Sequence, residues 1–364
     1  MSVPSQKPSP SPSPRTAPPN GRRRLRDTAA SLRLPVSLSF FIGLALSSPL
    51  IPRDVAAAAS STPEPVVLTS FLPVHSLALD IAGSAGKVEN WLPQGVDPHD
   101  FQFSPRDLRR LRSASLLVIG GLGLEGWSPS KLRDLAGNPS LRIVEATTGL
   151  PQAALIPDTN PHGHSHEGHD QEHDHDHVHD HDDDPAKADA PNPHFWLDPL
   201  LMAHAATNVA TALQELNPSR REEYARNAAA AVESLHALHR DYTRALANAT
   251  NAFITYHGAF PYLARRYNLR LVGVVESGPA DQPSARRLSE LGRVVRAENA
   301  RVLFIDGEPT RLARRLAADL GLQIYALETL ETGRLRPGAY EQGMRRNLEV
   351  LKKALSPSPS RPSP

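Results

Sequence analysis

Histidine is the residue type with the clearest chemical potential in this 364-residue chain, which has 16 histidines and no cysteine. Nine of the histidines lie in residues 160–184, interleaved with nine aspartates and glutamates and with no basic residue. Imidazole and carboxylate groups together suit zinc, nickel or copper. Because such a tract cannot form an apolar core, we interpret it as a metal-capturing surface loop. The alternative is a solvated acidic loop that has no role or responds to pH.

Three further histidines are candidates for a second kind of metal site. His99 follows a predicted strand, His194 precedes a predicted helix, and His257 comes directly after the apolar stretch 253–256. Glu328 ends a predicted strand in the same way. Ligands of open α/β sheets gather at the carboxyl ends of strands, so these four side chains could meet in one cleft. Taken singly, each of them could instead be a capping or surface residue.

Composition excludes several other classes of site and partner. With no cysteine, disulfides, thiolate zinc sites, cysteine nucleophiles and a lipid-anchored N-terminal cysteine are all ruled out. The formal net charge is only +1, so no overall field attracts nucleic acid, and we expect no nucleic-acid partner.

The elements that must position the candidate ligands form two similar series of alternating strands and helices. This alternation predicts an α/β fold with two Rossmann-like lobes, each with a mostly parallel sheet. Residues 220–248 contain no glycine or proline and carry apolar residues at helical spacing. They predict a rigid helix on the order of 40 Å long that joins the lobes, with the metal cleft between them. The predicted strands are 66–68, 88–92, 116–119, 141–144, 253–256, 269–275, 302–305 and 323–327.

The two ends of the chain have a different character. Residues 1–60 contain a basic cluster, an apolar stretch and a run of small residues, which is the pattern of an export signal cleaved near Ala59. A membrane anchor fits less well, because prolines interrupt an apolar run that is already short of ~20 residues. The predicted domains are the leader 1–60, a first lobe 61–216 with an unstructured loop 160–190, a linking helix 217–250, a second lobe 251–355 and an unstructured tail 356–364.

Several short motifs together make the sequence resemble the metal-binding receptors of ABC importers (cluster A-I), in particular the zinc receptors of the ZnuA family. The resemblance covers roughly residues 66–355. Any one of the motifs alone would be weak, but the set is specific. The motifs are TSFLP at 69–73, PHD at 98–100, GLGLE at 121–125, PHFWLDP at 193–199, HGAFPY at 257–262, EP at 308–309 and LETL at 327–330.

The resemblance implies a set of metal ligands. It places the first three ligands on His99, His194 and His257, and the fourth on Glu328, where the family often has an aspartate. Because a glutamate is one methylene longer, Asp100 or a water molecule remains an alternative fourth ligand. The manganese and iron branch of the family usually has a glutamate at the third position. A histidine at residue 257 therefore favours zinc.

The function implied by the resemblance is a high-affinity receptor that captures Zn²⁺ in the periplasm and delivers it to the permease of an ABC importer. Zinc would then be the transported ligand rather than a catalytic cofactor, and we expect a monomer without enzymatic activity. Three alternatives remain open. They are a manganese or iron receptor of the same fold, an enzyme of the hydratase type with zinc on three histidines, and a purely buffering histidine-rich protein.

Overall fold

The structure is a computed structural model that describes residues 64–158, 190–276 and 283–356. The predicted leader lies outside these residues. So do the predicted histidine-rich loop and the predicted tail, except for one residue at the edge of each. The chain from Ser60 onward groups into one compact unit.

Each lobe is built on a four-stranded sheet in which all strands run parallel. The first sheet has the order β2-β1-β3-β4 and the second has the order β6-β5-β7-β8, so the two lobes repeat one topology. The central strands are almost wholly apolar, as is usual for parallel sheets covered on both faces. The strands are β1 Val66–Thr69, β2 Lys87–Asn90, β3 Leu116–Ile119, β4 Arg142–Glu145, β5 Phe253–His257, β6 Leu271–Glu276, β7 Val302–Ile305 and β8 Gln323–Ala326.

Helices connect the strands and cover the sheets. The start of α2, Pro105–Arg112, is capped by its own side chains: Ser104 and Asp107 form a reciprocal capping box around Pro105 at the first helical position. In the described parts of the chain, no helix combines the length and apolarity needed to cross a membrane. The helices are α1 Leu72–Ala82, α2 Pro105–Arg112, α3 Pro129–Ala136, α4 Pro199–Leu216, α5 Arg221–Ala245, α6 Pro261–Arg266, α7 Ala285–Ala297, α8 Arg311–Leu320 and α9 Ala339–Leu355.

A buried carboxylate ties together the ends of β1 and β3 in the first lobe. Glu125 accepts hydrogen bonds from the Ser70 hydroxyl at 2.7 Å and from the amide nitrogens of Gly120 and Gly121. Gly121 has a φ of +86°, and a Cβ there would lie 2.4 Å from the Thr147 hydroxyl oxygen, so only glycine fits. The GLGLE motif therefore fixes the local backbone beside the cleft.

The long helix α5 has 25 residues, which corresponds to a length of about 37 Å. It lies along α4 and α1 of the first lobe and also contacts α9 of the second. It starts one residue later and ends three residues earlier than the sequence predicts, since the chain turns at residues 246–248.

The two lobes share one apolar core. Phe71 and Trp196 of the first lobe belong to the same buried cluster as Phe260, Leu330 and Tyr340 of the second. The ring centroids of Phe71 and Trp196 are 4.7 Å apart in an edge-on arrangement. The fold class predicted from the sequence, two parallel α/β lobes, is confirmed, and the contact between the lobes is a packed interior.

An ion pair adds a polar link between the lobes. The carboxylate of Asp198, which is almost fully buried, caps α4 through the Leu200 amide. Its Oδ2 atom accepts a hydrogen bond of 2.7 Å from Arg266 Nε on α6 and lies 2.7 Å from Arg266 Nη2. One side chain thus fixes the start of α4 and binds the second lobe.

We expect Asp198→Ala to lower the free energy of unfolding by about 2–3 kcal/mol, because it removes a helix cap and leaves Arg266 without its partner. The estimate is below that for a fully buried pair, since the Arg266 side chain is 31% exposed and can rehydrate. Urea unfolding measures the change. Glu298→Ala is the matched control, because the pair of Glu298 with Arg270 is half exposed, and its loss should cost less than about 1 kcal/mol. Equal effects of the two variants would contradict this role of Asp198.

Candidate metal centre

Four side chains converge between the lobes. They come from the segments after β2 and β8, from the end of β5 and from the segment before α4. They are His99, His194, His257 and Glu331, and each offers one ligand atom within 4.8 Å of all the others. His194 and Glu331 are buried, and His99 and His257 are only slightly exposed. The structure thus brings together the three histidines that the sequence singled out and adds a carboxylate that it did not.

The distances within this group match the edges of a small tetrahedron. The Nε2 atom of His194 lies 3.3 Å from that of His99 and 3.0 Å from that of His257. The Oε1 atom of Glu331 lies 2.9 Å from His194 Nε2, 3.4 Å from His99 Nε2 and 3.7 Å from His257 Nε2. Zinc bonds of about 2.0–2.1 Å in tetrahedral geometry place neighbouring ligand atoms about 3.3–3.4 Å apart.

The Oε1 atom of Glu331 is buried and has no hydrogen bond of acceptable geometry, although three imidazole nitrogens surround it. An unsatisfied buried carboxylate oxygen is costly. A cation at the centre of the four atoms would satisfy Oε1 and the three nitrogen lone pairs at once. The donor set therefore fits a divalent metal ion better than it fits a hydrogen-bonded cluster.

Burial and the contacts within the group shift the pKa values of its members in different directions. Burial lowers the pKa of His194 to about 4, so this imidazole is neutral at physiological pH and its Nε2 lone pair is available. Burial alone would lower the pKa of His99, but the nearby carboxylates of Glu331 and Asp97 outweigh it and raise that pKa. Burial would likewise raise the pKa of Glu331, yet the imidazole contacts dominate and hold it well below its usual range.

Asn192 orients the most deeply buried ligand. Its Oδ1 atom accepts bonds from the backbone amide of His194 at 3.1 Å and from the ring Nδ1 at 2.9 Å, which leaves Nε2 to face the centre. Its Nδ2 atom donates to the carbonyl of Gly258 at 3.0 Å, directly after His257. One buried amide therefore positions two ligands, one from each lobe.

The other ligands are held by their local backbone. Asp97 Oδ1 accepts the amide of His99 at 2.8 Å, which closes an Asx turn at the ligand. His257 is the last residue of β5. Glu331 follows Leu330, whose φ of +64° reverses the chain direction.

Trp196 links the first lobe to the segment that carries Glu331. Its indole nitrogen donates to the Thr329 carbonyl at 2.7 Å, and its own carbonyl accepts the Tyr340 hydroxyl at 2.6 Å. The Trp196 ring also packs 5.1 Å from the His194 ring, centroid to centroid. Trp196 therefore packs beneath the His194 turn.

The structure does not place Glu328 in this group, contrary to the expectation that it supplies the fourth ligand. Its carboxylate makes two bonds of 2.7 Å to the Arg346 guanidinium, and its backbone amide and carbonyl both bond to the Asn347 side chain on α9. The backbone contacts turn Glu328 outward, and the turn at Leu330 brings Glu331 inward. Asp100, the other protein group considered for this position, is exposed and lies outside the group.

The family called ZnuA, "Zinc-uptake complex component A periplasmic", matches residues 67–354. The chain belongs to this family. The resemblance found in the sequence motifs is thereby confirmed.

Two relatives show how much of this chain is similar to other proteins of the family. The ZnuA relative described as the high-affinity zinc uptake system protein of Bacillus subtilis is 30% identical over 297 residues, which cover 79% of this chain and 87% of that protein. The zinc-binding protein AdcA of Streptococcus pyogenes is also 30% identical, over 292 residues, which cover 79% of this chain but 55% of AdcA. The chain thus spans about half the length of the AdcA proteins that it matches.

Solved structures confirm the fold of this ZnuA-family chain. Zn(II)-bound AdcA of Streptococcus pneumoniae is 25% identical with a TM-score of 0.63, covering 83% of this chain and 60% of that one. The solute-binding protein FpvC of Pseudomonas aeruginosa, in complex with Mn²⁺, is 24% identical with a TM-score of 0.68, covering 80% and 99% of the two chains.

His75, on α1, lies outside the group of His99, His194, His257 and Glu331. It is buried in α1, and its Nδ1 atom is 2.8 Å from the Thr69 hydroxyl. Burial lowers its pKa to about 4, from a usual value near 6.5. Its environment is that of a neutral core histidine.

Between pH 6.5 and about 4, the folded state therefore binds fewer protons at His75 than the unfolded state, and the free energy of unfolding falls as the pH falls. Each such histidine contributes a slope of about 1.4 kcal/mol per pH unit. We expect His75→Gln to reduce the dependence of the free energy of unfolding on pH by the contribution of one histidine. Urea unfolding of the metal-free protein at pH 4.5–7 measures the change. His236→Gln, at an exposed position on α5, controls for the loss of a histidine as such. An unaltered slope in His75→Gln would show that His75 is not held neutral by the fold.

Proposed function

We propose that this protein is a high-affinity zinc receptor that captures Zn²⁺ outside the cytoplasm and delivers it to an ABC importer. The observation that carries the proposal is the convergence of three Nε2 atoms and one otherwise unsatisfied carboxylate oxygen at tetrahedral spacing. His99, His194, His257 and Glu331 are the proposed ligands.

The donor set favours zinc. Nitrogen-rich tetrahedral sites suit Zn²⁺, whereas Mn²⁺ prefers more ligands and more oxygen. Three neutral imidazoles and one carboxylate carry a charge of −1, so a bound Zn²⁺ leaves the site at +1. The names of the relatives, a zinc uptake protein and a zinc-binding protein, support the same metal.

The arrangement supports transport of the metal rather than catalysis with it. A catalytic zinc usually keeps three protein ligands and an open position for water. Here a fourth ligand, Glu331, occupies that position. The metal is therefore cargo, and the ligands need only hold it until the receptor meets its permease.

Partner and location follow from the same proposal. A receptor of this kind works in the periplasm, with the permease of an ABC importer as its partner, and as a monomer. Residues 1–60 would direct its export, and the histidine-rich tract in 160–184 would collect zinc at lower affinity.

The choice between the two glutamates is the sharpest test of the site. We expect Glu331→Ala to weaken Zn²⁺ binding on the order of 100-fold or more, because it removes a ligand and the only negative charge among the four. Glu328→Ala, which removes a carboxylate three residues away that pairs with Arg346, should change the affinity less than about twofold. Calorimetric titration in competition with a chelator measures both, and Mn²⁺ titrated in parallel tests the metal preference.

Loss of the tight site in Glu328→Ala with retention in Glu331→Ala would reverse the ligand assignment. Tight Zn²⁺ binding that survives simultaneous alanine substitution of His99, His194 and His257 would refute the proposed site altogether.

A further inference from the structure

The two oxygens of the Glu331 carboxylate have different surroundings. Oε1 faces the three imidazoles, as described above, whereas Oε2 lies 3.0 Å from the hydroxyl oxygen of Thr329. Both residues are buried, with Thr329 only 2% exposed. Oε2 therefore lies within hydrogen-bond distance of a hydroxyl, whereas Oε1 is the oxygen nearest to the three nitrogen atoms.

Thr329 is itself fixed by contacts from both lobes. Its backbone amide donates to Asp306 Oδ2 at 3.0 Å, and its carbonyl accepts the Trp196 indole nitrogen at 2.7 Å. Its hydroxyl lies 2.5 Å from the same Asp306 oxygen, so two carboxylates compete for one hydroxyl proton. Asp306 keeps the backbone amide as a donor when the hydroxyl turns to Glu331.

This contact controls how many oxygens Glu331 can offer to a metal. For bidentate binding, the carboxylate must rotate until Oε2 also faces the ion, which breaks the contact with Thr329. Zn²⁺ is satisfied with four ligands and needs one oxygen from Glu331. Mn²⁺ favours six ligands with more oxygen, so it would gain most from the second oxygen.

We propose that Thr329 is a specificity-determining positioning residue, whose hydroxyl restricts Glu331 to a single metal-ligating oxygen. The site then stays four-coordinate, and Mn²⁺ is disfavoured relative to Zn²⁺. This inference rests on the proposed zinc-receptor function and identifies the part of the site that sets the choice of metal.

The test compares Thr329→Val, which removes the hydroxyl but keeps the side-chain shape, with Thr329→Ser, which keeps the hydroxyl. Co²⁺ is the spectroscopic probe, because its visible absorption is intense in four-coordinate sites and weak in five- or six-coordinate ones. We expect Thr329→Val to weaken the Co²⁺ absorption. We also expect it to lower the ratio of Zn²⁺ affinity to Mn²⁺ affinity by roughly tenfold, which is the usual size of the effect when a residue that contacts a metal ligand is replaced. Thr329→Ser should restore both toward wild type.

Asp306→Asn separates the two possible partners of the hydroxyl. It removes the competing charge and leaves the hydroxyl to Glu331, so the four-coordinate Co²⁺ spectrum should persist. A spectrum like that of Thr329→Val would show that the hydroxyl acts through Asp306, and would overturn the proposal. Thr329→Ala, which introduces no new contact, provides the same comparison if the valine variant does not fold by circular dichroism.

The outcomes also separate this inference from the function on which it rests. If wild type binds Zn²⁺ tightly but Thr329→Val keeps its Co²⁺ spectrum and its Zn²⁺ to Mn²⁺ ratio, the role of Thr329 is wrong and the receptor function stands. If wild type itself lacks a tight Zn²⁺ site, the proposed function fails first.

Discussion

The proposed function depends on the meeting of one buried carboxylate and three imidazoles at a single point between two lobes. The ligands come from distant parts of the chain, since 95 residues separate His99 from His194 and 63 separate His194 from His257. Closing such long segments costs only slightly more entropy than closing shorter ones. The difficult requirement is accuracy, because metal ligands must be held within a fraction of an ångström of their positions.

Packing between the lobes supplies that accuracy. Trp196 and Asn192 belong to the first lobe, and each donates a hydrogen bond to the backbone of the second lobe. Trp196 binds close to Glu331, and Asn192 binds next to His257. Both side chains are buried, so water does not compete for these hydrogen bonds. The apolar core shared by the lobes holds the same contacts in place. Contacts within the folded chain therefore orient these four side chains toward one point.

The fold alone does not select the metal. Proteins of this fold are described in complex with Ni²⁺, Mn²⁺ and Zn(II). The selecting features are the donor atoms and their number, which depend on a few side chains around a common scaffold. In this chain the corresponding group is three imidazole nitrogens and a carboxylate whose second oxygen lies 3.0 Å from the Thr329 hydroxyl. The site can therefore differ between relatives without any change in the sheets.

The amino-acid sequence by itself determined the two parallel lobes, the long helix and the three histidines that meet between the lobes, because each depends on local patterns. Alternating strand and helix signals, helical spacing and short motifs around His99, His194 and His257 all lie within a few residues of what they predict. The choice between Glu328 and Glu331 was decided only by the tertiary structure. Asn347 and Arg346 on α9 bind Glu328 and hold it away from the three histidines. The positive φ of Leu330 turns Glu331 toward them. The contacts of Glu328 join residues 18 and 19 positions apart in the chain, and two glutamates three residues apart carry no local signal of which one lies beside the three histidines.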